Sequence, residues 1–250
     1  MEYIKHFNQE SEKYLYYRPD YPQNLFTYLS TLANSDEYVW DCGTGNGQAA
    51  LALTKHFAGI IATDINFAQL AVGLQDEKVH YVCCLAEQTP IPANSISLIT
   101  VAQALHWFNF PDFYQEVRRV AKPDAFIAAW CYSLGKLNSE LDPIINKLYQ
   151  GILGDEFWPK QRHFIDEQFQ TIPFPFQKMT VPTFLIEKKM NFFALIGYLN
   201  TWSAVKEYQQ RVGNNPIELV IDDLAAAWGD KENEYTMIWP IHLLLARVNS

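Results

Sequence analysis

The stretch that most constrains this chain runs from Tyr38 to Asp64. A β-favouring run, Tyr38-Val39-Trp40, leads into Asp41-Cys42-Gly43-Thr44-Gly45-Asn46-Gly47, then into the Ala- and Leu-rich segment Gln48 to Phe57, then into Gly59-Ile60-Ile61-Ala62-Thr63-Asp64. β-Branched and aromatic residues favour strands, Ala and Leu favour helix, and Lys55 and His56 suit the negative end of a helix that Gly59 can stop. The pattern predicts strand, glycine loop, helix, strand. Glycines at 43, 45 and 47 permit the positive φ of a sharp turn and remove the Cβ atoms that would hold a ligand off the main chain.

Spacing then selects among nucleotide cofactors. A dinucleotide fingerprint, G-x-G-x-x-G, wants glycine where Gln48 stands, which weakens a nicotinamide-dependent oxidoreductase reading. The loop also lacks the lysine of G-x-x-x-x-G-K-[ST], so a triphosphate site is unsupported. Asp64 lies 21 residues beyond Gly43, at the end of the second strand, where a carboxylate can accept hydrogen bonds from both hydroxyls of a ribose. These features fit an adenosyl ligand without phosphates.

Asp41 to Gly47 with Asp64 resembles the cofactor site of class I S-adenosylmethionine-dependent methyltransferases. Ala86-Glu87-Gln88-Thr89-Pro90-Ile91-Pro92 and Ala102-Gln103-Ala104-Leu105-His106-Trp107-Phe108 are similar to the methyltransferase type 11 group. Tyr17-Arg18-Pro19-Asp20-Tyr21-Pro22, Thr201-Trp202-Ser203 and Trp239-Pro240 are similar to its trans-aconitate methyltransferase-like branch. The resemblance implies an α/β, Rossmann-like fold: a seven-stranded, mostly parallel sheet with helices on both faces and a C-terminal antiparallel strand pair. It implies S-adenosyl-L-methionine as cofactor, held by Asp41, Gly43, Thr44, Gly45, Asp64, Ile65, Ala86, Glu87 and Gln103. Arg18 would pair the methionine carboxylate or an acidic substrate, or else anchor the N-terminal extension through a surface ion pair. Family members usually carry Asp where Leu85 stands, to hold the adenine amino group, and often Asp where Ser97 stands. Adenine is then left to the Ala86 backbone and Glu87, unless Glu87 is an ordinary helix-start acid.

The acceptor side is expected from Tyr17, His106, Trp107, Trp130 and Trp202, aromatic walls that can face a sulfonium by cation–π attraction; for Trp202 a core role is favoured. Methyl transfer from a sulfonium is an in-line displacement whose reagent is already activated, so the protein mainly aligns the nucleophile and excludes water. A carboxylate acceptor needs no base, whereas a phenol, alcohol or ammonium does, and His106 is the candidate. Its bland alternative is a residue that fixes the loop. The expected activity is transfer to a small molecule, a carboxylate or other oxygen nucleophile; the alternative is a binding protein that keeps the pocket without the chemistry.

Composition sets outer bounds. A chain of 250 residues with 49% hydrophobic and 19% charged residues can bury a large core, and no stretch approaches the roughly 20 apolar residues of a membrane span. Net charge −9 and scattered basic residues argue against nucleic acid and membrane partners. The start lacks the apolar run of a signal peptide, and Cys42, Cys83, Cys84 and Cys131 form no C-x-x-C pair and sit in or beside predicted strands, so reduced core cysteines in the cytoplasm are expected over a disulfide or zinc site. No metal is expected in the absence of an H-E-x-x-H pattern, and the chain should work as a monomer or homodimer.

A single domain is expected. Residues 1–34 would form a cap walled by Tyr14, Tyr16, Tyr17 and Tyr21, with a helix at Leu25, Leu29 and Leu32. Residues 35–133 would form the cofactor-binding core. There, Asn66 caps a helix to Gln75, strands follow at Lys78 to Cys83 and Ser95 to Val101, Pro111-Asp112 opens a helix, and Ala125 to Tyr132 is the fifth strand. Residues 134–233 would supply a lid and helical insertions around a sixth strand, Lys178 to Lys188, and residues 234–250 the last strand.

Overall fold

Buried, β-branched strands separated by helices that cross over the sheet build the expected parallel core. The computed structural model describes residues 17–249, so Tyr14 and Tyr16 of the expected cap lie outside the described residues. Strands β1 (Tyr38–Cys42), β2 (Gly59–Asp64), β3 (Val79–Cys83), β4 (Ile96–Ala102) and β5 (Ala121–Tyr132) pair in parallel. With β6 (Phe184–Met190) and β7 (Tyr235–Arg247) they make a seven-stranded sheet ordered β3-β2-β1-β4-β5-β7-β6. β7 runs antiparallel to β5, from Phe126↔Arg247 to Tyr132↔Ile241. Strand order reverses between β1 and β4, and at such a switch point ligands bind beyond the carboxyl ends of the strands.

Element ends depart from the periodicity for identifiable reasons. Helix α1 (Gln23–Ser30) buries Leu25, Phe26 and Leu29. Helix α2 (Gln48–Leu53) stops short of Phe57 because Lys78 Nζ donates to the carbonyls of Thr54 (2.8 Å) and Phe57 (3.2 Å), capping the turn from outside. Helix α3 (Phe67–Ala71) is capped by Asn66, whose side chain accepts from Ala68 N and Gln69 N, but it ends well before Gln75. Tyr81 Oη donates to Leu74 O (2.7 Å) and Leu74 N to Asn46 O (2.9 Å), drawing that segment away from the helix. Helix α4 (Phe110–Val120) keeps Pro111 in its first turn and Arg118 and Arg119 in its last. It passes directly into β5: Ile96 pairs with Ala121 and Leu98 with Phe126, so the segment around Pro123, which has no N–H to donate, bulges from the ladder. β6 begins at Phe184 rather than Lys178, beyond the donor-less Pro182.

The chain divides into two compact units, each drawn from separate stretches of sequence. The first comprises Tyr21–Ser133, Phe164–Leu185 and Pro240–Ser250; the second runs up to Asp20 and then takes Leu134–His163 and Ile186–Trp239. Fully buried Trp40 anchors the first, its ring 6.0 Å from Phe113 and its indole N–H donating to Thr63 Oγ1 at 2.8 Å. Phe164 to Phe176, expected in a lid, belongs to this unit: Tyr114 Oη donates to Pro173 O (2.6 Å) and the rings of Phe174 and Phe176 meet Tyr114 edge-on. The short break at Pro173-Phe174-Pro175-Phe176 is therefore a clasp over α4.

The second unit is held by aromatic packing. Trp202, only 3% exposed, meets the rings of Tyr149 (5.5 Å), Trp158 (5.7 Å) and Tyr198 (5.9 Å). Tyr149 lies in a π-helical turn, Lys147–Leu153, and receives the Arg162 guanidinium both as a hydrogen bond to its hydroxyl (2.7 Å) and across its ring. Trp202 is thus packed as core, the reading the sequence favoured over an acceptor wall. Trimming it to Phe removes part of the indole and leaves a void; Trp202→Phe is expected to lower stability by roughly 1–2 kcal/mol, read as a lower urea midpoint at unchanged slope.

Candidate functional site

The glycine loop opens at the carboxyl end of β1. Gly43, Gly45 and Gly47 all have positive φ, at 66°, 58° and 85°, as the tight passage into α2 requires. A Cβ on Gly43 would lie 2.5 Å from Ala104 Cβ, and one on Gly47 would lie 2.0 Å from Tyr81 Oη, so both glycines are demanded by close packing. A Cβ on Gly45 would meet nothing within 4 Å. Its outer side is open ground where a ligand can lie against main chain.

Asp64 ties this loop to β2. Its Oδ2 accepts from Gly45 N and its Oδ1 from Asn66 N, both at 2.8 Å, which fixes the carboxylate and leaves each oxygen a further lone pair. Asp64 also lines a crevice of about 640 Å³, including its open mouth, together with Gly43, Ile65, Ala86, Glu87 and Trp107. That volume suits an adenosyl group. Six residues that sequence reasoning did not assign to the site complete the walls: Cys42, Thr63, Cys84, Leu85, Ala104 and Phe108. Ile65, Leu85 and Trp107 are 68%, 48% and 56% exposed, an unusual apolar rim that a flat ring would cover. Leu85, read in the sequence as a missing acid, is an apolar wall. Trp107, expected on the acceptor side, also lines this crevice.

Two expected contacts are indirect. Asp41 is fully buried beneath the loop, where Oδ2 accepts from Thr44 Oγ1 (2.6 Å) and Oδ1 from Thr100 Oγ1 (2.7 Å). Asp41 and the Thr44 hydroxyl therefore shape the loop and do not face the crevice. Burial pushes the Asp41 carboxyl up from 3.8 to about 6, against the lowering effect of those hydroxyl donors. A folded-state value above the ordinary one means that the native protein holds this proton more tightly. That stabilisation is fully present below 3.8 and is lost as pH rises through about 6. Relative to Asp41→Asn, the wild type is expected to lose roughly 1–1.5 kcal/mol of unfolding free energy between about pH 5 and about pH 8, measured by urea titration at both values.

Glu87 is likewise partly engaged: its Oε1 accepts from Asn109 N at 2.8 Å, at the start of α4. Behind it, Glu116 accepts from Thr89 N (2.8 Å), Thr89 Oγ1 (2.7 Å) and Arg119 Nη2 (2.6 Å), fastening the Ala86-to-Pro92 loop to α4. These bonds hold the Arg119-paired Glu116 carboxyl below its ordinary value despite burial. Gln103 follows β4 with φ +56°; its N–H donates to Trp130 O (2.9 Å) and its Nε2 to Tyr132 O (3.0 Å). His106 is buried on a 3₁₀ turn, Leu105–Trp107, its ring 4.9 Å from Trp107 and 6.3 Å from Phe169. Trp130 is fully buried in β5.

Arg18 and Tyr17 belong to the second unit. Arg18 Nη2 donates to Thr201 O (3.1 Å), its guanidinium lies 5.7 Å from the Tyr198 ring, and its carbonyl accepts from Lys188 Nζ (2.8 Å). Among the described residues, a carbonyl and a ring hold it there. Tyr17 packs over Gly197, where a Cβ would lie 2.3 Å from its ring. None of the four cysteines is in a disulfide among the described residues; Cys42 and Cys131 are buried, whereas Cys83 is exposed and Cys84 half-buried, so not all are core thiols. Among the described residues no helix is long and apolar enough to cross a membrane.

Comparison with known proteins agrees with this geometry. Residues 40–129, essentially β1 to β5, match the methyltransferase domain family. A solved structure from Anaeromyxobacter dehalogenans, assigned as a type II methyltransferase, is 37% identical, covers 92% of this chain and 98% of its own, and superposes with a TM-score of 0.85. A Dictyostelium discoideum protein assigned as a methyltransferase is 28% identical over 247 residues, 96% of this chain and 94% of its own. The malonyl-[acyl-carrier protein] O-methyltransferase of Marinomonas sp. is 31% identical over 156 residues, 59% of this chain and 56% of its own. With a likeness that runs from end to end, the chain belongs to the class I S-adenosylmethionine-dependent methyltransferases.

Proposed function

We propose that this methyltransferase acts on an oxygen nucleophile, a carboxylate or hydroxyl, of a small molecule. What carries the oxygen assignment is the 31% identity to the Marinomonas enzyme, whose name states O-methylation. S-Adenosylmethionine supplies a methyl group already activated by its sulfonium. The chain's own part is then to bind, orient and exclude water. In this reading Asp64 grips the ribose, the main chain at Gly43 and Gly45 supports the amino-acid side, and Ile65, Leu85 and Ala86 flank the adenine. The crevice lined by Gly43, Asp64, Ile65, Leu85 and Ala86, with Gly45 N bonded to Asp64, supports these roles. His106, at the carboxyl end of β4, takes the proton when the acceptor is a hydroxyl and is idle when it is a carboxylate.

Calorimetric titration with S-adenosylhomocysteine, followed by turnover assays on matched carboxylates, alcohols, phenols, amines and thiols, tests the reading. Saturable cofactor binding and transfer confined to oxygen acceptors are expected. Transfer confined to amines or thiols overturns the oxygen assignment.

A further inference from the structure

Two buried polar atoms at the carboxyl ends of β4 and β5 have no hydrogen-bond partner: Trp130 Nε1 and Gln103 Oε1. Their residues are directly linked, since Gln103 N donates to Trp130 O at 2.9 Å, one step beyond the β-pair Ala102↔Trp130. A buried orphan costs about 1–3 kcal/mol, and native proteins keep few of them. Gln103 carries a second cost, a left-handed backbone at φ +56° that side chains other than glycine seldom adopt. Strain at Gln103 and two unmet polar groups on backbone-linked neighbours at the ligand-binding edge of the sheet mark a place arranged for something other than stability.

The chemistry of the missing partner follows from the two atoms. The indole nitrogen can only donate. The Gln103 amide could in principle present either end, but its Nε2 is committed to Tyr132 O at 3.0 Å, so its oxygen is the end left over and can only accept. A partner must therefore accept from Trp130 and donate to Gln103. A carboxylate has no hydrogen to give and would set its charge against the amide oxygen; an ammonium has no lone pair for the indole. A neutral hydroxyl satisfies both. The surroundings are aromatic: Tyr21 meets Trp130 edge-on at 5.5 Å and Tyr132 at 6.4 Å, and Phe26 lies 6.4 Å from Trp130. Tyr21 is the partly exposed member of this nest, the side from which an apolar or aromatic alcohol would enter.

We propose that Trp130 and Gln103 form a donor–acceptor pair that recognises a neutral hydroxyl on the methyl acceptor and turns away a carboxylate at the same position. This rests on the methyltransferase reading above and narrows its substrate class to hydroxyl-bearing small molecules, whether or not that hydroxyl is itself methylated.

The test uses the full chain, ¹⁵N-labelled and saturated with S-adenosylhomocysteine. The Trp130 indole N–H resonance is identified by its loss in Trp130→Phe, then followed while phenol or, separately, benzoate is added to tens of millimolar. A saturable shift with phenol, absent with benzoate and abolished in Gln103→Leu, is the expected result. No shift with phenol, an equal shift with benzoate, or a phenol shift that survives in Gln103→Leu overturns the proposal. Calorimetry of S-adenosylhomocysteine on the same samples separates the two readings: absent binding defeats the site assignment, whereas normal binding with a silent indole defeats only the hydroxyl pair.

Discussion

Asp64→Ala is expected to weaken S-adenosylhomocysteine binding more than a hundredfold while leaving a folded protein. The carboxylate is held by Gly45 N and Asn66 N at 2.8 Å each, so it is already aimed before any ligand arrives. Two ribose hydroxyls donating to a preset anion are worth about 1.5–3 kcal/mol each, and alanine removes both at once. It also frees Gly45 N, so the loop loses its tie to β2. Asp64→Asn separates these contributions: it keeps the size but must turn an NH₂ toward one of two N–H donors, and it should fall between wild type and alanine. Calorimetric affinities within threefold of wild type for Asp64→Ala would remove this residue from the cofactor site.

The second large effect contrasts two glycines two residues apart. Gly43→Ala is expected to cost about 3–4 kcal/mol of stability. Positive φ accounts for roughly 1–2 kcal/mol of this, and the rest comes from forcing a Cβ to 2.5 Å from Ala104 Cβ and 3.1 Å from Phe108 Cζ. For a chain of this length the melting temperature should drop by roughly 10 °C. Gly45→Ala bears the φ strain alone, since no atom lies within 4 Å of its added methyl, and should melt only a few degrees lower. Its penalty appears in binding: the methyl fills the ground over which the ligand lies, and affinity should fall tenfold or more. Equal melting losses for the two variants would show that the loop is not packed as described.

These contrasts explain what can be read from the sequence and what cannot. The glycine loop, Asp64, the Asn66 cap and the five parallel strands are legible because each depends on neighbours a few residues away or on a run of β-branched residues. Side-chain direction is set at longer range. Asp41 heads the loop in sequence yet points below it, because Thr100 from β4 and Thr44 claim both its oxygens. Trp107 and Trp202 look alike as aromatic residues near motifs, but one lines the crevice at 56% exposure and the other is packed among three rings. The orphaned Trp130 N–H has no signature in sequence at all; only the absence of a partner in three dimensions reveals it.

The strand order has a consequence for biosynthesis. β7 comes last among the described strands yet sits inside the sheet, between β5 and β6. Until β7 has been made, the whole outer edge of β5, from Phe126 to Tyr132, offers its amides and carbonyls with no companion. Nascent chains are thus exposed to edge-to-edge association until β7 emerges, and holdase chaperones should raise the yield of this protein more than that of one whose sheet closes in order of synthesis.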